Sequence, residues 1–193
     1  MTIWKHEMRQ GRGAMFVWTA VIAFLVAVCV FLFPEMEGEM GEVGDMFSSM
    51  GSFTQAFGMD RLNFGEFLGF YGVECGNILG LGGAFFAALP AVMALSKEEW
   101  EHTAEFLLSH PISRRRIVTE KLCALASQIV FLNAVVFATA AVSVTAIGEE
   151  PDWEIFCLIH LAYFLLQLET AAVCFGISAF MRRKSFGVGL GAA

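Results

Sequence analysis

Apolar positions gather into four long runs, and the segments between them hold nearly all the charge. Residues 14–34, 75–96 and 122–148 contain no charged side chain, and residues 155–181 contain a single acid, Glu169. A bilayer core of about 30 Å is crossed by about 20 helical residues, so each run is long enough to span it. In hydrocarbon every backbone polar group must be satisfied internally, which leaves helices or a closed barrel. Barrel strands alternate apolar and polar positions over about ten residues, whereas these runs are continuous. The pattern predicts an all-α polytopic membrane protein with four transmembrane helices.

The first run is preceded by Lys5, Arg9 and Arg12, as a signal peptide would be. Its apolar stretch is too long for one, and Phe31-Leu32-Phe33-Pro34-Glu35 offers no small-residue cleavage site, so it reads as a retained anchor. Ser185 to Ala193 is apolar and follows the basic cluster Arg182-Arg183-Lys184. This reads as the start of a fifth span and predicts a chain that is incomplete at its C-terminus. The whole forms a single membrane domain, with an outer loop at 35–74 and an inner loop at 97–121.

Composition strengthens the membrane reading. The chain of 193 residues is 57% apolar and 16% charged, against about 45–50% and about 25% for soluble domains. A soluble enzyme and a disordered tail are both excluded. The net charge of −7 suggests avoidance of nucleic acid, but its distribution says more. Eleven of the twelve Lys and Arg residues lie at the N-terminus, in the 97–121 loop or after the fourth run. The other two loops hold only Arg61 against 12 acids. Basic residues near span ends stay on the cytoplasmic side, so the N-terminus is expected inside.

Catalytic signatures are missing. There is no G-x-x-x-x-G-K-[ST] loop for phosphate, no C-x-x-C and no H-E-x-x-H. No catalytic, cofactor-binding or metal-binding residues are predicted. Cys29, Cys75, Cys123, Cys157 and Cys174 read as small apolar filler, and His6, His102, His110 and His160 lack metal-ligand spacing. Gly76, Gly80, Ala84 and Ala88 recur every four residues in the second run, a spacing that lets helices pack closely. Pro90 can kink the same span.

The inner loop is the most informative segment. Ser96 and Glu99 form a capping box, and Trp100, Ala104, Leu107 and Leu108 share one face of the helix that would follow. Glu98, Glu101 and Glu105 occupy the opposite face. Pro111 ends that helix, Ser113 can cap the next, and Arg116 and Glu120 can pair across it. Interfacial helices carry Lys and Arg on their polar face. An acidic face with a Trp and Leu stripe suits a protein partner better.

These residues resemble a family signature. Glu98-Glu99, Thr103-Ala104-Glu105-Phe106-Leu107-Leu108, Pro111-Ile112-Ser113-Arg114 and Lys121 look like the pattern E…G-T-x-E-x-L-L-x-x-P-[IV]-S-R…K of permease subunits of type-2 ABC exporters. His102 stands where that pattern has glycine. Trp4-Lys5-His6-Glu7-Met8-Arg9 is similar to the basic lead-in helix of such permeases, and Phe175 to Arg183 to the end of their fourth span. The resemblance implies that the loop helix is a coupling helix seated on a separate cytoplasmic ABC ATPase. That ATPase would hold ATP and Mg, and no cofactor would bind this chain. Glu98, Glu99, Glu101, Thr103, Glu105, Pro111 and Arg114 would form the ATPase contact. A second permease chain, identical or different, would complete the pathway in a bacterial or archaeal plasma membrane.

Glu169 allows other readings. A charge at mid-bilayer costs about 2.5–3.5 kcal/mol on insertion scales, so the acid should face protein or water. It could relay protons, contact substrate, pair across a dimer, or pack as a hydrogen-bonded acid against Gln128 or Asn133. The alternatives to an ATP-driven permease are therefore a proton- or ion-coupled secondary transporter using Glu169, or a membrane assembly protein without transport. Secondary transporters often contain internal repeats, and none is visible in this chain.

Overall fold

The computed structural model describes residues 2–49, 66–97 and 113–180. These are helical, with no strand among the described residues. Helix α1 runs Thr2–Ser49, α2 Phe67–Asn77, α3 Gly83–Met93, α4 Arg114–Ile147 and α5 Trp153–Ser178. A π-helical turn, Ile78–Gly82, joins α2 to α3 so that Phe67–Met93 forms one spanning element. Among the described residues, four elements are long and apolar enough to cross a membrane: Ile3–Met36, Phe67–Met93, Arg114–Ile147 and Trp153–Ser178.

The helices extend beyond the charge-free runs because water can satisfy a backbone ladder where lipid ends. Pro34 lies inside α1, which continues to Ser49, so this part of the 35–74 segment, expected as a loop, is helix continuous with the first span. The rest of that loop up to residue 65, and the C-terminal residues 181–193 read as the start of a fifth span, lie outside the described residues.

Buried positions follow helical spacing although nearly every side chain in a span is apolar. On α1 the inward stripe is Met15, Thr19, Ile22, Val26, Val30 and Phe33. Val26 is fully buried while Phe24 is 66% exposed. Burial therefore follows helix face and not polarity, as expected where both the core and the surrounding solvent are apolar.

Helix ends carry ordinary capping chemistry. Ser113 Oγ accepts the Arg116 N–H at 3.3 Å and opens α4. At the other end of α4, Gly148 takes a φ of +82°, the left-handed cap that glycine adopts without a Cβ penalty. Asp152 Oδ1 then accepts the Glu154 N–H at 2.9 Å and starts α5.

The chain divides into two compact units. The first comprises Met1–Trp18, Ala84–Leu132 and Phe164–Ala193, and the second Thr19–Gly83 and Asn133–Tyr163. An aromatic network fills the second. Phe33 of α1 packs on Phe67 and Phe70 of α2, with ring centroids 5.3 and 5.2 Å apart. Tyr71 meets Phe156 of α5 at 5.0 Å, and Phe137 of α4 meets His160 edge-on, also at 5.0 Å. Tyr71 Oη and His160 Nε2 share a hydrogen bond of 2.8 Å at the centre of this network. His160 is thus packed among aromatic rings, and its polarity is satisfied where burial without a partner would be costly.

The same unit explains the small-residue spacing. A Cβ on Gly76 would collide with Tyr163 Oη, and one on Gly80 would lie 3.3 Å from Tyr163 Cε1. The two glycines thus admit the Tyr163 ring of α5 against the backbone of the second span. Gly76→Ala should destabilise the protein by about 1–3 kcal/mol through overpacking. Tyr163→Phe, which removes the colliding atom, should recover part of the loss. Thermal unfolding in detergent measures both, and an unchanged Gly76→Ala midpoint would refute the close approach.

Candidate functional site

Among the residues expected to touch an ATPase, Arg114 alone is described. It is exposed and is the first residue of α4. Glu98, Glu99, Glu101, Thr103, Glu105 and Pro111 lie outside the described residues. Both flanks of that loop belong to the first unit, so its attachment can be followed residue by residue. On the upstream side, Ser96 Oγ donates to the Val92 carbonyl at 3.4 Å. Its capping partner Glu99 is outside the described residues.

On the downstream side the opening of α4 grips the N-terminal turns of α1. Arg116 Nε donates to Glu120 Oε1 at 2.9 Å, the pair expected from their spacing. Glu120 Oε2 also accepts the backbone N–H groups of Ile3 and Trp4, at 2.9 and 3.2 Å. Those are orphan donors of the first helical turn, so the carboxylate caps α1 from another helix. A carboxylate at a helix N-terminus also meets the positive end of the helix dipole. Glu120 precedes the charge-free run that begins at residue 122.

Lys121, the next residue, makes a second tie. Its Nζ lies 2.6 Å from Glu7 Oε1, and its side chain is 2% exposed against 21% for Glu7. Two further contacts continue along the same helix pair. Trp4 Nε1 donates to Ser127 Oγ at 3.2 Å. The Gln128 amide approaches Gly11 so closely that a Cβ there would lie 2.7 Å from Gln128 Nε2.

The Arg116–Glu120 pair and the Ser113 cap were legible from spacing. The Glu7–Lys121 pair was not, since its members are 114 residues apart. The available signal was that Lys121 is a charge directly before an apolar run, where a partner of opposite sign lowers the cost of burial. Tyr71, partner of His160, sits in the segment read as outer loop, and no spacing rule connects the two.

Glu169 is exposed on the surface of α5, while Gln167, two residues before it, is fully buried. Gln128, weighed as a partner for Glu169, is placed against Gly11 instead.

The family described as "ABC-2 family transporter protein" matches residues 1–192. No curated protein and no solved structure matches the chain.

The paired contacts predict a stability cycle. Glu7→Gln leaves the Lys121 ammonium buried without its carboxylate. Removing one partner of a buried pair costs about 3–5 kcal/mol, and the partial exposure of Glu7 places this case at the low end. The double variant Glu7→Leu/Lys121→Met should cost clearly less than Glu7→Gln. Denaturant unfolding of the purified protein measures both, and equal losses would argue against a coupled pair.

Proposed function

Because the chain belongs to the ABC-2 transporter family, the membrane permeases of ABC transporters, we propose that it couples ATP hydrolysis in a separate ATPase subunit to substrate translocation, in the direction of export. Family membership across residues 1–192 carries this reading. It favours an ATP-driven permease over a secondary transporter or an assembly protein. The chain itself acts without catalysis, and ATP and Mg belong to the partner.

In this proposal the 97–121 loop is seated on the ATPase through Glu98, Glu99, Glu101, Thr103, Glu105, Pro111 and Arg114. A second permease chain completes the pathway, the N-terminus faces the cytoplasm, and the assembly works in a plasma membrane. The exposure of Arg114 at the end of that loop supports the placement. So do the ties from Glu120 and Lys121 to α1, through which a push on the loop would reach the first span. Charge reversal at Glu101 and Glu105 should sharply lower recovery of the ATPase with the affinity-purified permease. Recovery equal to that of the unaltered chain would overturn the assignment of the loop.

Glu169 takes the intramembrane role in the proposal. Exposed on α5, it would carry a cost of about 2.5–3.5 kcal/mol if lipid covered it. Its place is therefore against the second permease chain or the aqueous pathway. Replacing Glu169 with Gln should slow transport by reconstituted vesicles while leaving ATPase binding intact. Full transport activity would remove Glu169 from the mechanism and exclude a proton relay.

A further inference from the structure

Cys29 of α1 and Cys75 of α2 are free thiols in the second unit, and each is the other's side-chain hydrogen-bond partner. The packing around them brings this about. Phe33 of α1 meets Phe70 of α2, and further along a Cβ on Gly82 would lie 3.4 Å from Ile22 Cδ1. Moving back along the first span therefore moves forward along the second, as in an antiparallel helix pair. Cys29 and Cys75 fall between those two contacts in the same register. Phe67, Tyr71, Cys75 and Leu79 recur every four residues and are all buried, so Cys75 belongs to the inward stripe of the second span. Cys29 stands one turn before Phe33 and is half-buried. Cys75 follows the exposed Glu74 and opens the charge-free run. Cys29 lies five residues before the end of the first run, about 7 Å along the helix. The pair is thus near an edge of the apolar zone, at the end of the first span opposite the N-terminus.

We propose that Cys29 and Cys75 form a dithiol oxidation site, which closes to a disulfide joining the first span to the second. A cysteine that merely fills apolar space needs no particular neighbour. Two thiols from different helices that bond to each other face one another, as disulfide geometry requires. The oxidant is a disulfide-bearing molecule, and the reaction is thiol–disulfide exchange. The Cys29 thiolate, the more accessible of the two, attacks one sulfur of the oxidant's disulfide. That bond breaks, one oxidant thiol leaves, and a mixed disulfide remains on Cys29. The Cys75 thiolate then attacks the Cys29 sulfur and expels the second oxidant thiol. The two cysteines lose two electrons and two protons, and the oxidant gains both as its two thiols. The product closes a covalent loop around residues 30–74 and fixes the register of the first two spans at this end. With the N-terminus inside, as proposed above, this is the outer side, where disulfides persist. Only the compartment rests on that orientation.

The test uses the full chain in detergent, carrying Cys123→Ala, Cys157→Ala and Cys174→Ala. It is treated with one equivalent of dithiodipyridine, a small apolar disulfide. Released thiopyridone is read by absorbance and retained pyridyl adduct by intact mass. The pair should release two thiopyridones per chain and retain no adduct. Adding Cys75→Ala should leave one thiopyridone released and one adduct retained, because no second thiol resolves the mixed disulfide. One thiopyridone and a retained adduct while both cysteines are present would mean independent thiols, and overturns the proposal. No reaction at all also overturns it. If the triple variant fails to fold, the unaltered chain is oxidised in the same way, blocked with N-ethylmaleimide and digested. A peptide containing Cys29 joined to one containing Cys75 supports the site. Cys29 joined to Cys157, or both cysteines recovered unlinked, refutes it. Neither readout involves membrane orientation or an ATPase, so failure here would leave the proposed function standing.

Discussion

A backbone amide in hydrocarbon has no water to bond, and this constraint governs the rest of the molecule. It forces residues 14–34, 75–96, 122–148 and 155–181 into helices before any side chain is considered. It also removes the usual driving force for helix association, since lipid is as apolar as the protein interior. Shape and a few polar contacts must then decide how the helices meet. Gly76 and Gly80 admit Tyr163 against the second span. Tyr71 and His160 bond inside an aromatic network that includes side chains from all four spans. Glu120 and Lys121 hold the first turns of α1. Each contact is specific because the alternative, a polar group or a void facing hydrocarbon, is worse.

Local features of the fold were legible wherever the signal spans a few residues. The Ser113 cap, the Arg116–Glu120 pair and the end of α4 at Gly148 all rest on contacts within one turn. The inward face of each span was hidden for a physical reason. Phe24 and Val26 are both apolar, and composition cannot tell lipid from core when both exclude water. The π-helical turn at Ile78–Gly82 was equally invisible, because one extra residue in a helical turn leaves no mark on the apolar pattern. The length of α1 was hidden too: the charge-free run stops at residue 34, but the helix continues through Pro34 to Ser49.

The candidate site shows the same division. The loop signature pointed to residues 98–114, and the family membership agrees with the class of protein it implies. What the signature could not convey is how the loop is anchored. Lys121 appears in it as an isolated basic position, and only the fold supplies Glu7 as its partner. A charge that seems redundant at the end of a motif is thus one half of a long-range contact.

The adjacency of Glu120 and Lys121 has a mechanical meaning. Successive residues on a helix point in directions about 100° apart, yet both reach α1. Glu120 takes the backbone amides of Ile3 and Trp4, while Lys121 takes the Glu7 side chain one turn further along. The first contact fixes the end of α1 along its axis, because those amides exist only in its opening turn. The second fixes rotation, because Glu7 occupies one face. With Trp4 bonded to Ser127 as well, the start of α4 and the start of α1 cannot slide or turn independently without breaking charge-assisted bonds. Under the proposed coupling, a displacement that enters at Arg114 would therefore be shared with the first span instead of being absorbed by a hinge. Where spans meet over apolar surfaces, such polar ties at the helix ends are the places where force can be transmitted.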